Sequence, residues 1–415
     1  MSQGQIDLPH GWRRTVIDAI AASGARSVAI GPFGSRLKSD MYTTEGVPVI
    51  RGQDIKDAPY ISLDDPVFVS EEVASSLSSA IVRPDDLVFP HRGAIGAVGL
   101  MGGRECLLSS SMMKLSCDKA IADPKYVLYY FRGRGRQELL DRASTVGTPG
   151  IGQPLRSLRG IPITLPEIGE QRAIAEVLGA LDDKIAANRK LAGVAEAVLA
   201  AEFQLLGFDR GVDGERASAL TEYFDLNPVC PRVTESEPTY VDMQKLPTSS
   251  MMVEDWESRP AKGGARFMNG DTLLARITPC LQNRKTGYVD FLDEGEVAIG
   301  STEYIVIRSK SGIPSELSYF LATSERFRTF AIRHMVGTSG RQRLSANDLT
   351  EYPLCSVEPT ALNRWGAIAV PLVKRLGVAR DESRTLAATR DALLPRLMAG
   401  ELRVRDAERE VEAVL

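Results

Sequence analysis

Residues 167–206 read EIGEQRAIAEVLGALDDKIAANRKLAGVAEAVLAAEFQLL. Ile174, Leu178, Leu181, Ile185, Leu191, Val194, Val198 and Leu205 recur mostly at threes and fours, which predicts a long helix with one apolar stripe. Asp182, Lys184, Arg189 and Lys190 fall largely off that stripe. About 35 residues at ~1.5 Å rise make a rod of roughly 50 Å, too long for a small domain to cover alone. A second such stretch, 360–397, carries Leu362, Trp365, Ile368, Leu372, Leu376, Ala379, Leu386, Leu393 and Leu397. Pro371 and Pro395 interrupt it and predict a kink. The two rods are expected to bury their stripes against each other, with Asn188 near the seam, where a polar residue fixes register. The alternative is two ordinary amphipathic helices, each on its own domain.

The two rods belong to a larger repeat. Shifted by 191 residues, the chain matches itself weakly over its whole length. Pro48-Val-Ile-Arg-Gly-Gln53-Asp-Ile55 falls on Thr239-Tyr-Val-Asp-Met-Gln244-Lys-Leu246, and Leu108–Leu115 falls on Ile299–Val306. Tyr129 falls on Phe320, Pro162 on Pro353, and Ile185 on Leu376. Small gaps put Asp86-Leu87-Val88 on Asp271-Thr272-Leu273 and Val146-Gly-Thr148 on Val336-Gly-Thr338. A period this long is a duplicated domain and not a solenoid.

Each copy reads as a globular part followed by a long helix. Val47–Ile50, Leu87–Phe89 and Tyr304–Ile307 read as strands. Residues 123–131 read as a helix entered through an Asp cap with Pro at its first position, and 314–321 is its counterpart. The expected class is α+β: two pseudo-symmetric globular domains, 1–166 and 207–358, joined by two long helices, 167–206 and 359–402, forming an antiparallel coiled coil. Residues 403–415 form a charged tail.

Composition narrows the function. With 43% hydrophobic and 25% charged residues the chain is an ordinary globular protein. Its net charge of −4 excludes a wholly basic nucleic-acid coat but not a local basic face. Residues 1–14 lack a signal-peptide core, and no apolar run of about 18 residues predicts a membrane span. Cys106, Cys117, Cys230, Cys280 and Cys355 are scattered and lack C-x-x-C spacing, which suits a reduced cytoplasm.

Catalytic patterns are poor. No phosphate-loop motif is present; Thr148-Pro-Gly-Ile-Gly-Gln-Pro154 has the glycines without the lysine. Gly93-Ala-Ile-Gly96-Ala-Val-Gly99 reads as a turn between strands. His10, His91 and His334 lack metal spacing. A Cys106–His91 pair has no local signature. Asn227-Pro228-Val229-Cys230 has the Asn-Pro of an amino-methyltransferase loop without its aromatic residue.

Charge is uneven. Residues 131–160 hold Arg132, Arg134, Arg136, Arg142, Arg156 and Arg159; 324–345 hold Arg326, Arg328, Arg333, Arg341 and Arg343. In each copy the basic helix is expected to end at a glycine-rich loop, Val146–Gly150 or Val336–Gly340. Arginines and glycine-exposed backbone N–H groups suit phosphates, and Gln153 and Gln342 could read adenine edges. The bland reading is a solvated helix face.

The chain resembles the specificity subunit of type I restriction-modification systems. The resemblance rests on Gly31-Pro-Phe-Gly34-Ser35-Arg-Leu37, Gly46–Ile55, Glu170–Leu178 with Asp182-Asp-Lys-Ile185, and Arg390–Leu402. It implies two target recognition domains that read a split, asymmetric double-stranded DNA site, with paired helices that set the spacer. It implies no catalysis and no cofactor in this chain. S-adenosylmethionine, ATP and Mg belong to two methyltransferase subunits and, through them, restriction/translocase subunits. The helices would dock the methyltransferase subunits, through Ile174, Leu178, Leu181, Ile185, Trp365, Ile368, Leu372, Leu386 and Leu397. By analogy, candidate DNA contacts are Ser35, Arg36, Arg51, Gln53, Arg92, Arg134, Arg142 and Gln153, then Gln244, Arg276, Lys285, Arg333, Arg341 and Gln342. The second domain lacks a Phe-Gly-Ser equivalent. Alternatives are a subunit of a methylation-only or other phage-defence complex, a fused methyltransferase, and a non-DNA scaffold.

Overall fold

The computed structural model describes residues 8–24, 26–33, 36–144, 147, 149–211, 217–260, 263–338 and 340–414. The chain divides into two compact units, Met1–Ala186 with Thr385–Leu415, and Ala187–Arg384. Both divisions fall inside the long helices and not at their ends.

The first unit is built on an antiparallel four-stranded sheet in the order Val28–Ile30, Met112–Leu115, Leu87–Pro90, Gly99–Leu100. Neighbouring residues of its strands serve different cores, as period-2 geometry requires. Leu87, Phe89, Met113 and Leu115 face a core shared with the long helices, while Val88 and Met112 face a second core. That second core is closed by a five-stranded sheet in the order Tyr42–Thr43, Val67–Val69, Val47–Ile50, Cys106–Leu108, Ile81–Val82. Its one parallel pair joins Val47–Ile50 to Cys106–Leu108. A two-stranded ribbon, Arg13–Val16 with Pro162–Leu165, ties the start of the globular part to its end.

The second unit repeats this plan except for the edge strand Tyr42–Thr43, which has no counterpart among its described residues. Its four-stranded sheet runs Phe224–Leu226, Tyr304–Ser309, Asp271–Ala275, Thr286–Tyr288. Leu274, Ile305 and Ile307 face the helix-side core, and Leu273, Ala275, Tyr304 and Val306 face the other. The second sheet runs Glu257–Ser258, Thr239–Val241, Ala298–Gly300, Ala265–Phe267, and its parallel pair is again the central one. The ribbon is Ala217–Ala219 with Pro353–Cys355. The aligned acids Asp86 and Asp271 occupy one structural place. Each is buried, each accepts the backbone N–H three residues earlier, from Arg83 or Met268, and each meets a cation across the sheet. Lys114 lies 2.8 Å from Asp86, and Arg308 lies 2.6 Å from Asp271.

The expected short helices form. Pro124–Arg132 starts at Asp123, whose carboxylate accepts the N–H groups of Lys125 and Tyr126. Leu317–Thr323 is its counterpart. The long helices are Ile168–Leu206 and Pro359–Met398, the latter one 40-residue element running through Pro371 and Pro395. Within each unit the opening half of one packs with the closing half of the other. In the first unit Ile174, Leu178, Leu181 and Ile185 share a core with Leu386, Leu393 and Leu397. At that seam Asp182, 3% exposed, accepts from Arg390 (2.6 Å), Tyr129 (2.8 Å) and Arg132 (3.1 Å). In the second unit Asn188 Nδ2 donates to Glu382 (2.7 Å), Ser383 (3.1 Å) and the Ala379 carbonyl (3.3 Å). Asn188 therefore lies in the seam itself.

Two parts of the expected stripe are corrected. Leu191, Val194, Val198 and Leu205 are exposed; the buried positions are Ala195, Leu199 and Phe203, with Ala192 packed against them. Continuing threes and fours from Ile185 leads to Asn188, Ala192, Ala195, Leu199 and Phe203. One residue is 100° of turn, so large apolar residues next to small seam positions moved the reading onto another face. On the second helix Ile368 is exposed and Leu372 half-buried, whereas Ala369 and Val373 are buried. Ile174, Leu178, Leu181, Ile185, Trp365, Leu386 and Leu397 are buried in the units' own cores, which suits a helix seam and corrects their expected role as a docking face, since a buried side chain presents nothing to a partner. The charged tail is also more than a tail. Val404–Glu412 is a helix that buries Ala407 and Val411 in the first unit's core and points its charges outward.

Candidate nucleic-acid interface

In both units the loop after the central strand of the four-stranded sheet is bridged to the segment that follows the short helices. In the first unit Arg92 bridges Gly150, Gly93 N–H donates to the Pro149 carbonyl, and Ile151 N–H donates to the carbonyl of His91. In the second, Ile277 bridges Arg343, Leu344 N–H donates to the Arg276 carbonyl, and Thr278 N–H donates to the Gln342 carbonyl. This brings Arg92 and Gln153 to one edge of the first unit, and Arg276, Arg341 and Gln342 to the matching edge of the second. The Gly93–Gly96 stretch is a turn between strands, with both glycines at positive φ, 78° and 90°.

The candidate residues sort by what their side chains already do. Arg36, Gln53, Arg92, Arg134, Gln153, Gln244, Arg333 and Arg341 are exposed. Among the described residues, Arg36, Arg92, Arg134, Arg333 and Arg341 make no ion pair, so their charge is available to a ligand. Others are engaged internally. Arg51 donates to the Asp65 carbonyl (2.5 Å) and lies 3.5 Å from Asp54. Arg142 is held by Glu138 at 2.7 Å, one helical turn away. Gln153 accepts a long bond, 3.4 Å, from Arg156. Lys285 donates to the carbonyls of Met243, Gln244 and Leu246 at 2.5–3.3 Å and acts as a loop clasp. Arg276 lies 3.8 Å from Glu303, and Arg343, 2.8 Å from the same acid, holds that carboxyl below its usual range. Ser35 lies outside the described residues, as do Val146, Thr148 and Ser339 of the two glycine-rich loops.

The arginine runs are thus partly structural. Arg132 serves Asp182, and Arg159 lies 3.2 Å from Asp18. Arg326 pairs with Asp209 at 2.8 Å and stacks on Tyr352. Arg328 is buried. The expected single basic helix is, in the first unit, a seven-residue helix, Arg134–Leu140, followed by a hairpin of Ala143–Ser144 with Gly150–Ile151. Arg134 and Arg136 line a cleft of about 1200 Å³ in the first unit, together with Lys56, Ile95, Gly133 and Arg390. Of these, Lys56, 2.5 Å from Asp64, and Arg136 are further cations at the cleft that were not among the expected contacts. Lys56 sits just past Asp54-Ile55, but only the fold brings it near residues 132–136.

The groups considered for catalysis are poorly suited to it. Burial pushes the Cys106 thiol up to about 12, and its Sγ donates to the Arg104 carbonyl. A thiol held protonated is a weak nucleophile. Burial pulls His91 below the ordinary imidazole value, and its Nε2 meets the Ser110 carbonyl at 3.2 Å. Among the described residues no three His, Cys, Asp or Glu side chains gather as a metal site, and no helix is long and apolar enough to cross a membrane.

Comparison with known proteins follows the same residues. Residues 34–196 match the family described as the type I restriction modification DNA specificity domain. The type I restriction enzyme EcoAI specificity subunit of Escherichia coli is 29% identical over 140 residues, which cover 32% of this chain and 23% of that protein. The EcoEI specificity subunit of Escherichia coli is 32% identical over 145 residues, covering 32% and 24%. The chain spans about a quarter of the length of these curated relatives. The crystal structure of a type I restriction-modification S subunit from M. genitalium superposes with a TM-score of 0.57 at 15% identity, covering 94% of this chain and 98% of that one. At that identity the likeness is one of fold.

Proposed function

We propose, from the match of residues 34–196 to the type I restriction modification DNA specificity domain, that the chain is the DNA-recognition subunit of such a system. One observation carries the reading beyond the matched segment. The second unit repeats the first unit's strand order, down to the central parallel pair of its second sheet. Two like folds with unlike loops suit two readers, each taking one half of a bipartite, asymmetric site. Linking two modest binders raises affinity through effective concentration. Exposed arginines such as Arg92, Arg134 and Arg341 neutralise phosphates, and Gln53, Gln153 and Gln244 supply amide donors and acceptors for base edges. The paired long helices set the spacer and dock two methyltransferase subunits, which bring S-adenosylmethionine. Restriction/translocase subunits, with ATP and Mg, join through them. The chain itself does no chemistry.

The test is a chimaera. Residues 1–166 are exchanged for those of a relative with a different target, and the sequence methylated by the assembled complex is read genome-wide. One half of the methylated sequence is expected to change and the other to persist. A change in both halves, or in neither, overturns the two-reader assignment.

A further inference from the structure

Arg328 belongs to the arginine run of the second unit, yet the helix Glu325–Arg333 turns it inward. It is 4% exposed. Its Nη2 donates to the carbonyls of Leu281 and Gln282 at 3.2 and 3.3 Å. Its Nε and Nη1 are buried and have no hydrogen-bond partner among the described residues. A guanidinium cannot shed its proton and has no acceptor of its own, so its unpaired N–H groups call for an anion. The surrounding charges deepen the need. Burial and the neighbouring Arg284 hold the group below its ordinary value. The acid whose charge reaches it, Glu325, is exposed and turned to Arg284 at 2.9 Å.

Arg328 and Arg284 line one pocket of about 270 Å³, whose other lining residues are Thr248, Ser249, Ser250, Thr286, Tyr319 and Thr323, all of them hydroxyl-bearing. Thr286 is 2% exposed, and its Oγ1 is likewise buried without a partner. No acidic side chain is among the lining residues. Arg284 stands at φ 63°, a region that residues with a Cβ rarely occupy and that local structure must impose. A water's share of volume is about 30 Å³, so the pocket has room for a tetrahedral ion several times that size.

We propose that this pocket binds an oxyanion of the phosphate type, with Arg328 as its fixed buried donor, Arg284 as its outer cation, and the hydroxyls completing the shell. Two guanidinium groups match the charge and fork geometry of such an ion. The site belongs to the second unit alone, because the repeat puts Gln137, an exposed residue, where Arg328 stands. The anion is a phosphodiester of a DNA backbone or a free phosphate. Its binding is independent of the proposed sequence reading and is measured without DNA.

The experiment uses the full chain and inorganic phosphate, against chloride at matched ionic strength. Phosphate is expected to raise the melting temperature beyond chloride, half-saturating on the order of 1 mM. Arg284→Gln, at an exposed position, is expected to raise that concentration at least about tenfold, because it removes one of two charge-assisted partners. Arg328→Met is expected to abolish the phosphate response; should that variant not fold, Thr286→Val and Arg284→Gln carry the test. A response no larger than chloride's, or one equal in wild type and Arg284→Gln, overturns the site. A short duplex then separates the sources. Phosphate that competes with duplex beyond matched chloride assigns the pocket to the DNA backbone, and phosphate that binds without competing assigns it to a free anion.

Discussion

Glu196 shows how one side chain can carry a pH dependence. It stands on the first long helix, and its carboxylate accepts the Met251 N–H at 3.0 Å. Burial pushes the carboxyl up to about 7, against the pull of that N–H, and Glu254 adds to the rise. Tyr319 is close enough to feel its charge. The folded value lies above that of an unfolded glutamate, so the stability tied to the neutral form is full below about pH 4.3 and is lost as pH rises through 7. Glu196→Gln keeps an acceptor for Met251 and removes the charge. Its gain in urea-unfolding stability over wild type is expected to be larger at pH 8 than at pH 5 by about 2 kcal/mol. An equal difference at the two pH values would show that the carboxyl titrates normally. None of this is visible in Ala195-Glu-Ala197, because the burial comes from a loop some 50 residues away that folds across the helix. Asp182 is similar. It reads as a solvated charge, but two arginines and a tyrosine distant in sequence converge on it.

At the scale of the element, helix length was legible and helix rotation was not. The 3.6-residue period marks residues 168–206 as one rod, since nearly every turn carries an apolar residue. It does not decide between two faces when the true seam is lined by Asn188, Ala192 and Ala195 and a neighbouring face carries Leu191, Val194 and Val198. Small seam residues let the paired rods approach closely, and they score weakly as apolar for that reason. Two truncations separate the faces. Leu199→Ala, which opens a cavity in the second unit's core, is expected to cost about 3 kcal/mol. Leu191→Ala is expected to stay within about 0.5 kcal/mol. Denaturant unfolding of both variants measures this, and comparable losses would restore the outer stripe. The strands were easier. Residues 48–50 of Val47–Ile50, Leu87–Pro90 and residues 304–307 of Tyr304–Ser309 are buried and read as unbroken apolar runs.

For the molecule as a whole, the repeat was the most informative feature, because it survives wherever the chain is packed. The ribbon prolines Pro162 and Pro353, the buried acids Asp86 and Asp271 and the central parallel pairs hold their places at nearly one shift. The candidate site was only half legible. Arginine counts recur in both copies, but Arg132, Arg142, Arg326 and Arg328 are spent on internal partners or buried, and no sequence pattern tells those from Arg134. Arg134 and Arg136 are therefore the pair to replace. Changing both to Ala in the assembled complex is expected to weaken binding to all duplexes alike and to flatten the salt dependence by about two units of log–log slope. Titration against sodium chloride reads this directly, and an unaltered slope removes both residues from the interface.

The division of the chain inside its long helices also orders its synthesis. The second unit is contiguous, Ala187–Arg384, and holds all of its own strands and core. The first is closed only by Thr385–Leu415, which bring Leu386, Leu393, Leu397 and Val411 to a core begun hundreds of residues earlier. The earlier-made unit therefore keeps its apolar groove uncovered until residues 385–411, which follow the whole of the second unit in the chain, reach it.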